Sequence, residues 1–286
     1  MIYYTLPNFY FNFNIINFLS RIESKYYKFP VAFESATGNF PYCYFNGGYN
    51  NNMGSGALYD DFNTIGDSLN IPLCFNLANI FIEEKDFSNV QTNLILSLNE
   101  TGSNSIEFSN FKLYEYLKEK YPNYIYIFSK QAFLLCPDLT AEQIDNLIIK
   151  NGVDYISLDE IHSIDIEYLK KIKNKKNIKL SATSECSLDC NNFYNCRIQQ
   201  HQKQYDFSNY NCYLNCNKCV PYQFRKQIIT FEEAHNIYKP LGFTRFTLGE
   251  VIVNDIDDFI LFFIEYFIKD EYKYDILRGF KEEKFL

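Results

Sequence analysis

Three consecutive stretches decide the fold: YIYIFS at residues 124–129, TAEQIDNLIIKNG at residues 140–152 and YISL at residues 155–158. The first and third are rich in β-branched and aromatic residues and predict strands. The second begins with Thr140 and has Gln143 three residues later, which is a capping box, and it ends at Gly152, a residue suited to a left-handed helix end. We therefore expect a strand–helix–strand unit, the repeating element of parallel α/β folds.

The same alternation of short β-rich runs and helical patterns occurs along the whole chain. Strands are predicted at Ile2–Leu6, Val31–Ala36, Leu73–Asn79, Ser105–Ser109, Tyr124–Ser129, Tyr155–Leu158, Ile178–Ala182 and Phe243–Leu248. Helices are predicted at Phe18–Tyr27, Tyr59–Leu69, Phe111–Lys120, Ala141–Lys150 and Ile164–Ile172. Eight alternations predict an α/β protein with a single TIM-like (β/α)₈ barrel over residues 1–286. An open doubly wound sheet is the alternative.

The overall composition narrows the classes of partner. The formal net charge of -8 gives no strong nucleic-acid signal. The first residues lack a basic segment, and the longest apolar run, Phe259–Ile268, is shorter than the roughly 20 residues that cross a bilayer. We expect a cytoplasmic protein that does not enter a membrane. The sequence does not indicate its oligomeric state.

Polar residues lie at the carboxyl end of nearly every predicted strand. In order they are Glu34-Ser35, Asn79, Ser109-Asn110, Ser129-Lys130, Asp159-Glu160, Glu185-Cys186 and Gly249-Glu250. Active sites of such barrels lie at the carboxyl ends of the strands, so we predict that Glu34, Asn79, Asp159 and Glu185 line the site. Glu34 or Glu185 is then the candidate general acid or base. Helix capping is the competing interpretation of each residue, above all of Asp159.

Six of the nine cysteines lie in one stretch, ECSLDCNNFYNCRIQQHQKQYDFSNYNCYLNCNKC, at residues 185–219. We expect a Cys-rich excursion at residues 185–228, between the seventh and eighth strands. In reducing cytosol, clustered thiols favour metal over disulfides. Three cysteines on one loop, Cys186, Cys190 and Cys196, with a distant fourth suit a [4Fe–4S] cluster. Zinc is the alternative.

The fourth cluster ligand is expected from Cys212, Cys216 or Cys219, with Cys216 our choice. Imidazole binds both metals, so His201 stays open as a ligand or as a solvated residue. The remaining cysteines, Cys43, Cys74 and Cys136, are predicted to be small core residues. A glycine- and asparagine-rich segment at residues 46–56 indicates either a flap over the barrel mouth or a plain surface loop.

The strand leading into ECSLDCNNFYNCRIQQH, with the later segment Ile228-Ile229-Thr230-Phe231-Glu232-Glu233, resembles bacterial barrel proteins related to the collagenase-like peptidases (peptidase class U, family thirty-two). The runs Phe33–Asn39 and Leu77-Ala78-Asn79 fit the same layout. Basic residues expected near Tyr49 and at Glu250-Val251 are absent, which departs from the family.

The resemblance implies an iron–sulfur cluster at Cys186, Cys190 and Cys196 with one of the later cysteines. It also implies oxygen-independent hydroxylation or another modification of RNA or of a small aromatic acid, and no protease mechanism. An iron–sulfur enzyme of this kind is therefore our hypothesis. The alternative is a non-catalytic barrel whose zinc or cluster only holds a loop for binding a partner.

Overall fold

A computed structural model describes residues 1–9, 12–39, 43, 45, 69, 71–184, 188, 194, 195, 197, 198, 226–249 and 256–282. Eight parallel strands close into a barrel. The barrel strands are β1 (Ile2–Leu6), β2 (Val31–Gly38), β3 (Leu73–Leu77), β4 (Ser105–Phe108), β5 (Ile125–Phe128), β6 (Tyr155–Ser157), β7 (Ile178–Ser181) and β10 (Arg245–Thr247). Two further strands, β8 (Thr183–Ser184) and β9 (Lys226–Gln227), form a separate antiparallel pair. Each barrel strand pairs with its neighbours in sequence, and β1 closes the ring between β10 and β2.

Helices occupy the connections between the strands. They are α1 (Phe13–Ser20), α2 (Val90–Leu98), α3 (Phe111–Lys120), α4 (Ala141–Asn151), α5 (Glu160–Ile164), α6 (Ile166–Lys171), α7 (Phe231–Glu233), α8 (Ile256–Phe267) and α9 (Lys273–Glu282). One π-helical turn, Ala234–Tyr238, continues α7. Within the described residues, no helix combines the length and apolarity that crossing a bilayer requires.

The α/β fold class is confirmed, and the barrel is closed, not an open sheet. All eight predicted strands exist, but β2 continues two residues beyond the predicted end, to Gly38. A Cβ atom at Gly38 would lie 2.8 Å from the Phe9 ring, so the close approach there requires glycine. The helix predicted at Tyr59–Leu69 lies outside the described residues, apart from Leu69.

Two predicted helices were wrong in their bounds. The helix predicted at Phe18–Tyr27 begins earlier, as α1, and a short 3₁₀ turn follows at Ser24–Tyr26. The helix predicted at Ile164–Ile172 is two short helices, because Asp165 leaves the helical conformation and caps α6 through Tyr168 N–H. A side chain that competes for backbone N–H groups breaks a helix that hydrophobic periodicity alone would continue.

The strand–helix–strand unit formed as its local signals predict. Thr140 accepts a hydrogen bond from Gln143 N–H while the Gln143 side chain accepts one from Thr140 N–H, so the capping box is complete. Gly152 ends α4 with φ of 66°. The Tyr114 hydroxyl donates to the Asn151 and Gly152 carbonyls, which satisfies acceptors that a helix end leaves open.

Aromatic side chains join the barrel to its C-terminal helix. Tyr4 of β1 lies edge-on to Phe267 of α8, with ring centroids 4.9 Å apart. The Tyr4 and Tyr266 hydroxyls are 3.0 Å apart, and Tyr266 donates onward to the Ile229 carbonyl. Burial raises the pKa of both phenols, so each remains a neutral hydrogen-bonding group.

The β8–β9 pair brackets the Cys-rich excursion. Thr183 pairs with Gln227 and Ser184 pairs with Lys226. The Thr183 hydroxyl also accepts a hydrogen bond from Gly249 N–H, directly after β10. Ser184 and Lys226, the described residues on either side of most of this stretch, therefore lie next to each other at the carboxyl ends of β7 and β10.

Candidate functional site

A polar pocket opens at the carboxyl-terminal mouth of the barrel, with a volume of about 440 Å³ including its open side. Its lining residues come from the ends of seven barrel strands and the turns that follow them. They are Thr37, Asn76, Glu107, Ser129, Lys130, Gln131, Ser157, Ser181, Thr247, Leu248 and Gly249. We call this the mouth pocket. Its position is where barrels of this type carry their chemistry.

Two neighbouring residues of the mouth pocket present acceptors that have no partner among the described residues. Asn76 of β3 and Glu107 of β4 are opposite each other in the strand register, and we call them the upper pair. Asn76 is 7% exposed, and its Oδ1 atom is buried without a hydrogen bond. No described residue makes a hydrogen bond or an ion pair with the Glu107 carboxylate. Buried polar groups are normally paired, so these atoms are available to a ligand.

A third such atom, Thr247 Oγ1, is buried and unpaired on the β10 side of the pocket. Two serine hydroxyls of the pocket lining make hydrogen bonds within the protein. Ser181 donates to the Leu158 carbonyl at 2.8 Å, and Ser129 accepts from Gln131 N–H. The mouth pocket therefore combines fixed polar groups with several that have no hydrogen-bond partner in the described part of the chain.

One buried carboxylate joins the mouth pocket to the Cys-rich excursion. Glu160 is fully buried and accepts two hydrogen bonds from Arg197, at 2.8 and 2.9 Å. It also accepts one from Lys130 of the pocket lining, at 3.0 Å. Burial disfavours the charged carboxylate, but the two cations outweigh that effect and hold the pKa of Glu160 below its ordinary value. Arg197 directly follows Cys196 in the sequence.

Asp159 anchors the same excursion through a second contact. Its Oδ2 atom accepts a hydrogen bond from the Tyr194 hydroxyl at 2.9 Å. Its Oδ1 atom caps α5 by accepting from His162 N–H and lies 2.6 Å from the His162 ring nitrogen Nδ1. Burial, then the charge of Asp159, raises the pKa of Tyr194 well above its usual range, so the phenol keeps the proton it donates.

Three of the four residues predicted to line the site, Glu34, Asn79 and Asp159, are not among the lining residues of the mouth pocket. Glu34 lies lower in the barrel, where its carboxylate contacts Lys179 at 2.7 Å and Arg245 at 3.0 Å, the latter without hydrogen-bond geometry. We call these three residues the lower triad. Glu34 is skipped in the register at a bulge, since Tyr4 pairs with Phe33 and Thr5 with Ser35. Such bulges redirect side chains, which here brings Glu34 to Lys179 and Arg245.

Asn79 is buried after β3, where its side chain accepts from Phe81 N–H at 2.8 Å. Asp159 is a helix cap, as its competing interpretation held. Glu185 lies outside the described residues.

The predicted metal ligands Cys186, Cys190, Cys196, Cys212, Cys216 and Cys219 also lie outside the described residues, as do His201 and residues 46–56. Within the part of the chain that is described, no group of His, Cys, Asp and Glu side chains could hold a metal ion. The iron–sulfur cluster and the zinc alternative therefore stay predictions.

The three remaining cysteines divide between core and surface. Cys43 and Cys74 are buried, as predicted. Burial, then the charge of Glu107, raises the pKa of Cys74 to about 11, so it is a protonated thiol. The core assignment of Cys136 was wrong, because this thiol is exposed. It follows the 3₁₀ turn at Lys130–Leu134, whose apolar residues point inward and leave the end of the segment at the surface.

Ser129, Lys130 and Gly249 of the pocket lining are among the polar residues noted at predicted strand ends, but none of them was predicted as a site residue. Sequence reasoning missed Asn76, Glu107, Ser157, Ser181 and Thr247, which lie inside the strands. A signal existed, since Asn76 and Glu107 interrupt the otherwise largely apolar runs LCFNL and SIEF. A polar residue near the end of a buried strand faces either the surrounding helices or the barrel interior. The apolar contact with the helices offers no hydrogen-bond partner, so the interior position is favoured.

The chemistry available in the mouth pocket follows from these groups. Glu107 is a carboxylate that can accept or donate a proton. Lys130 supplies a positive charge held by Glu160, and Asn76 and Thr247 can orient a bound molecule. With its buried walls, the pocket strengthens electrostatic contacts with anything it encloses.

Comparison with known proteins identifies the fold. No protein-family model matches this chain, and no curated protein matches it. A solved structure described as that of the U32 peptidase Mk0906 is similar, with a TM-score of 0.54 over 87% of this chain and 92% of that chain. The two sequences are 11% identical, so the likeness shows the barrel fold and no shared activity. This agrees with the family resemblance at the level of fold.

Proposed function

We propose that this chain is an iron–sulfur enzyme that modifies a small organic molecule in the mouth pocket. One observation carries the proposal: Glu160 holds both Lys130 of the pocket lining and Arg197, the residue that follows Cys196. A buried carboxylate with two cationic partners is costly to build. Its position supports a functional link between the pocket and the Cys-rich excursion.

The proposed cluster ligands are Cys186, Cys190 and Cys196 with one of Cys212, Cys216 and Cys219. A cluster bound there would supply single-electron transfer beside the substrate. The Tyr194 and Arg197 contacts are the feature of the described residues that fits this assignment, because both belong to the excursion and both are fixed at the barrel rim.

The chain's own residues would bind the substrate and move protons. Glu107 is the proposed acid or base, since it is a carboxylate that lines the pocket and has no partner among the described residues. Asn76 and Thr247 would hold polar groups of the substrate. Leu248, which is 1% exposed, supplies an apolar wall against which a ring can pack.

Two substrate classes follow from the family resemblance, RNA and a small aromatic molecule. The mouth pocket favours the small molecule, because its polar lining residues converge from the ends of seven strands on a single position at the barrel mouth. The formal net charge of -8 also opposes a general RNA-binding surface. The proposed reaction is the modification of a ring, and oxygen-independent hydroxylation is the particular case that the resemblance implies.

The cofactor is tested by anaerobic purification, iron and sulfide analysis and absorbance. We expect brown protein whose broad absorbance band is lost on oxidation, and we expect Cys190→Ser to lose most of its iron. Cys136→Ser is the matched control, because this thiol is exposed and lies outside the excursion. Cys74→Ser is the buried control. Both control variants should retain the iron of the unaltered protein.

The activity is tested by screening anaerobic protein against RNA and small aromatic acids and amines. Turnover that disappears in both Glu107→Gln and Cys190→Ser would support the proposed enzyme. Colourless anaerobic protein with about one zinc per chain would contradict it. That result would favour the non-catalytic barrel in which a metal holds the excursion.

A further inference from the structure

The upper pair has a specific chemical character, since both of its residues present acceptors. Asn76 and Glu107 are direct neighbours on adjacent parallel strands, which lie roughly 5 Å apart. Asn76 Oδ1 is buried and unpaired, and the Glu107 carboxylate has no hydrogen bond or ion pair within the described residues. Two acceptors side by side fit a group that donates hydrogen bonds, and the carboxylate charge favours a donor that is positive.

Among the described residues, no cation neutralises the Glu107 carboxylate. Among the described residues that line the mouth pocket, Lys130 is the single cation, and Glu160 already holds it. Lower in the same barrel, the carboxylate of Glu34 has two cations within 3.0 Å. The barrel therefore neutralises one internal carboxylate with its own side chains and leaves the other to solvent or to a ligand.

We infer that the upper pair is the recognition site for an organic cation, an ammonium or amidinium group of the molecule bound in the mouth pocket. The inference rests on the proposed function in taking this pocket as the substrate site, and it narrows the substrate class to amino- or amidino-substituted rings. A divalent metal ion is the competing occupant. It fits less well, because Glu107 is the single carboxylate among the described lining residues and such ions favour several oxygen ligands.

Three probes of similar shape separate the charge types: benzamidine is positive, benzamide is neutral and benzoate is negative. Binding to the full-length protein, purified anaerobically, is measured by calorimetry or by ligand-observed NMR. Benzamidine should bind about 10-fold more tightly than benzamide, as expected for a charge-assisted hydrogen bond over a neutral one. Benzoate should bind more weakly than either. Equal binding of the three probes, tighter binding of benzoate, or no binding of benzamidine would overturn the inference.

Two variants of identical chemistry locate the binding site. Glu107→Gln should weaken benzamidine about 10-fold or more and leave benzamide within about 2-fold. Glu115→Gln, on the exposed face of α3, is the matched control and should bind all three probes as the unaltered protein does. Asn76→Leu is the second site variant and should weaken benzamidine to a smaller degree. Circular dichroism establishes that each variant is folded.

Magnesium and calcium, added as competitors, test the other occupant. If millimolar metal displaces benzamidine and Glu107→Gln abolishes metal binding, the site is a metal site and the inference is wrong. The proposed function fails by a different measurement, since iron content and absorbance do not depend on benzamidine. Cluster-free protein that binds benzamidine through Glu107 would therefore contradict the proposed enzyme and support the cation site.

Discussion

The barrel interior contains two carboxylates in opposite situations. In the lower triad, Glu34 lies against Lys179 and Arg245, at 2.7 and 3.0 Å. In the upper pair, Glu107 faces the mouth pocket with no ionic partner among the described residues. A charge that the protein neutralises by itself serves the fold, whereas a charge left unpaired at the mouth is available to a ligand. We therefore assign Glu34 to the stability of the fold and propose Glu107 as a ligand-binding group.

The surroundings of the two sites strengthen the contrast. Arg245 lies over the rings of Tyr3 and Tyr155, at 5.0 and 4.9 Å from their centroids, so the lower triad is also packed against aromatic faces. Such contacts stabilise a partly desolvated cation. The upper pair has hydroxyl and amide neighbours and an open side.

The largest loss of stability is expected for Glu34→Gln. This change leaves Lys179, which is 5% exposed, and Arg245 beside each other without a counter-charge. Breaking a buried ion pair by removing one partner costs about 3–5 kcal/mol. Chemical denaturation should show a loss of unfolding free energy of this size. A loss no larger than that of the surface control Glu115→Gln would show that the lower triad is not structural.

An intermediate effect is expected for Arg197→Met, which keeps the apolar stem and removes the two hydrogen bonds to Glu160. Lys130 still neutralises the carboxylate, so we expect a loss of about 2–3 kcal/mol at neutral pH. Tyr194→Phe, which removes one hydrogen bond from the same excursion to Asp159, is the smaller comparison at about 1 kcal/mol.

The Arg197→Met effect should depend on pH in a definite direction. The pKa of folded Glu160 is lowered from its ordinary value of 4.5. A lowered pKa stabilises the fold above that ordinary value, and the stabilisation is lost as the pH falls toward the folded pKa. The difference in unfolding free energy between the unaltered protein and Arg197→Met should therefore be largest at neutral pH and shrink as the pH falls below 4.5 toward the folded pKa of Glu160. A difference that grows on acidification would contradict the assignment.

The fold could be predicted because its signals are local and repeated. YIYIFS, the capping box at Thr140 and the left-handed Gly152 each specify a strand, a helix start or a helix end within a few residues. Boundaries failed where a side chain overrides periodicity, as Asp165 does between α5 and α6. Closure of the barrel follows from the number of alternating units.

The candidate site could be predicted only in position. The sequence placed the site at the carboxyl ends of the strands, but the residues chosen there did not include the polar residues Asn76 and Glu107 inside β3 and β4. The side to which Glu107 points depends on the register, and the position of Glu34 depends on a bulge. Neither can be derived from local patterns, because one skipped residue reverses which side chains face the interior.

The smallest effect on stability is expected for Glu107→Gln. This variant also gives the sharpest test of the comparison between Glu34 and Glu107. The substitution is chemically identical to Glu34→Gln and lies in the same barrel, so the two differ only in their partners. Removing a charge that has no counter-ion among the described residues relieves desolvation and breaks no ion pair within that part of the chain. We expect the unfolding free energy to stay the same or to rise by up to about 1 kcal/mol. Benzamidine binding should become weaker at the same time, which is the pattern of a binding site that lowers stability in exchange for function. Denaturation of both variants under one set of conditions measures the difference. A loss after Glu107→Gln as large as that after Glu34→Gln would mean that Glu107 has an ionic partner in the folded chain, and the carboxylate would then belong to the structure and not to a ligand.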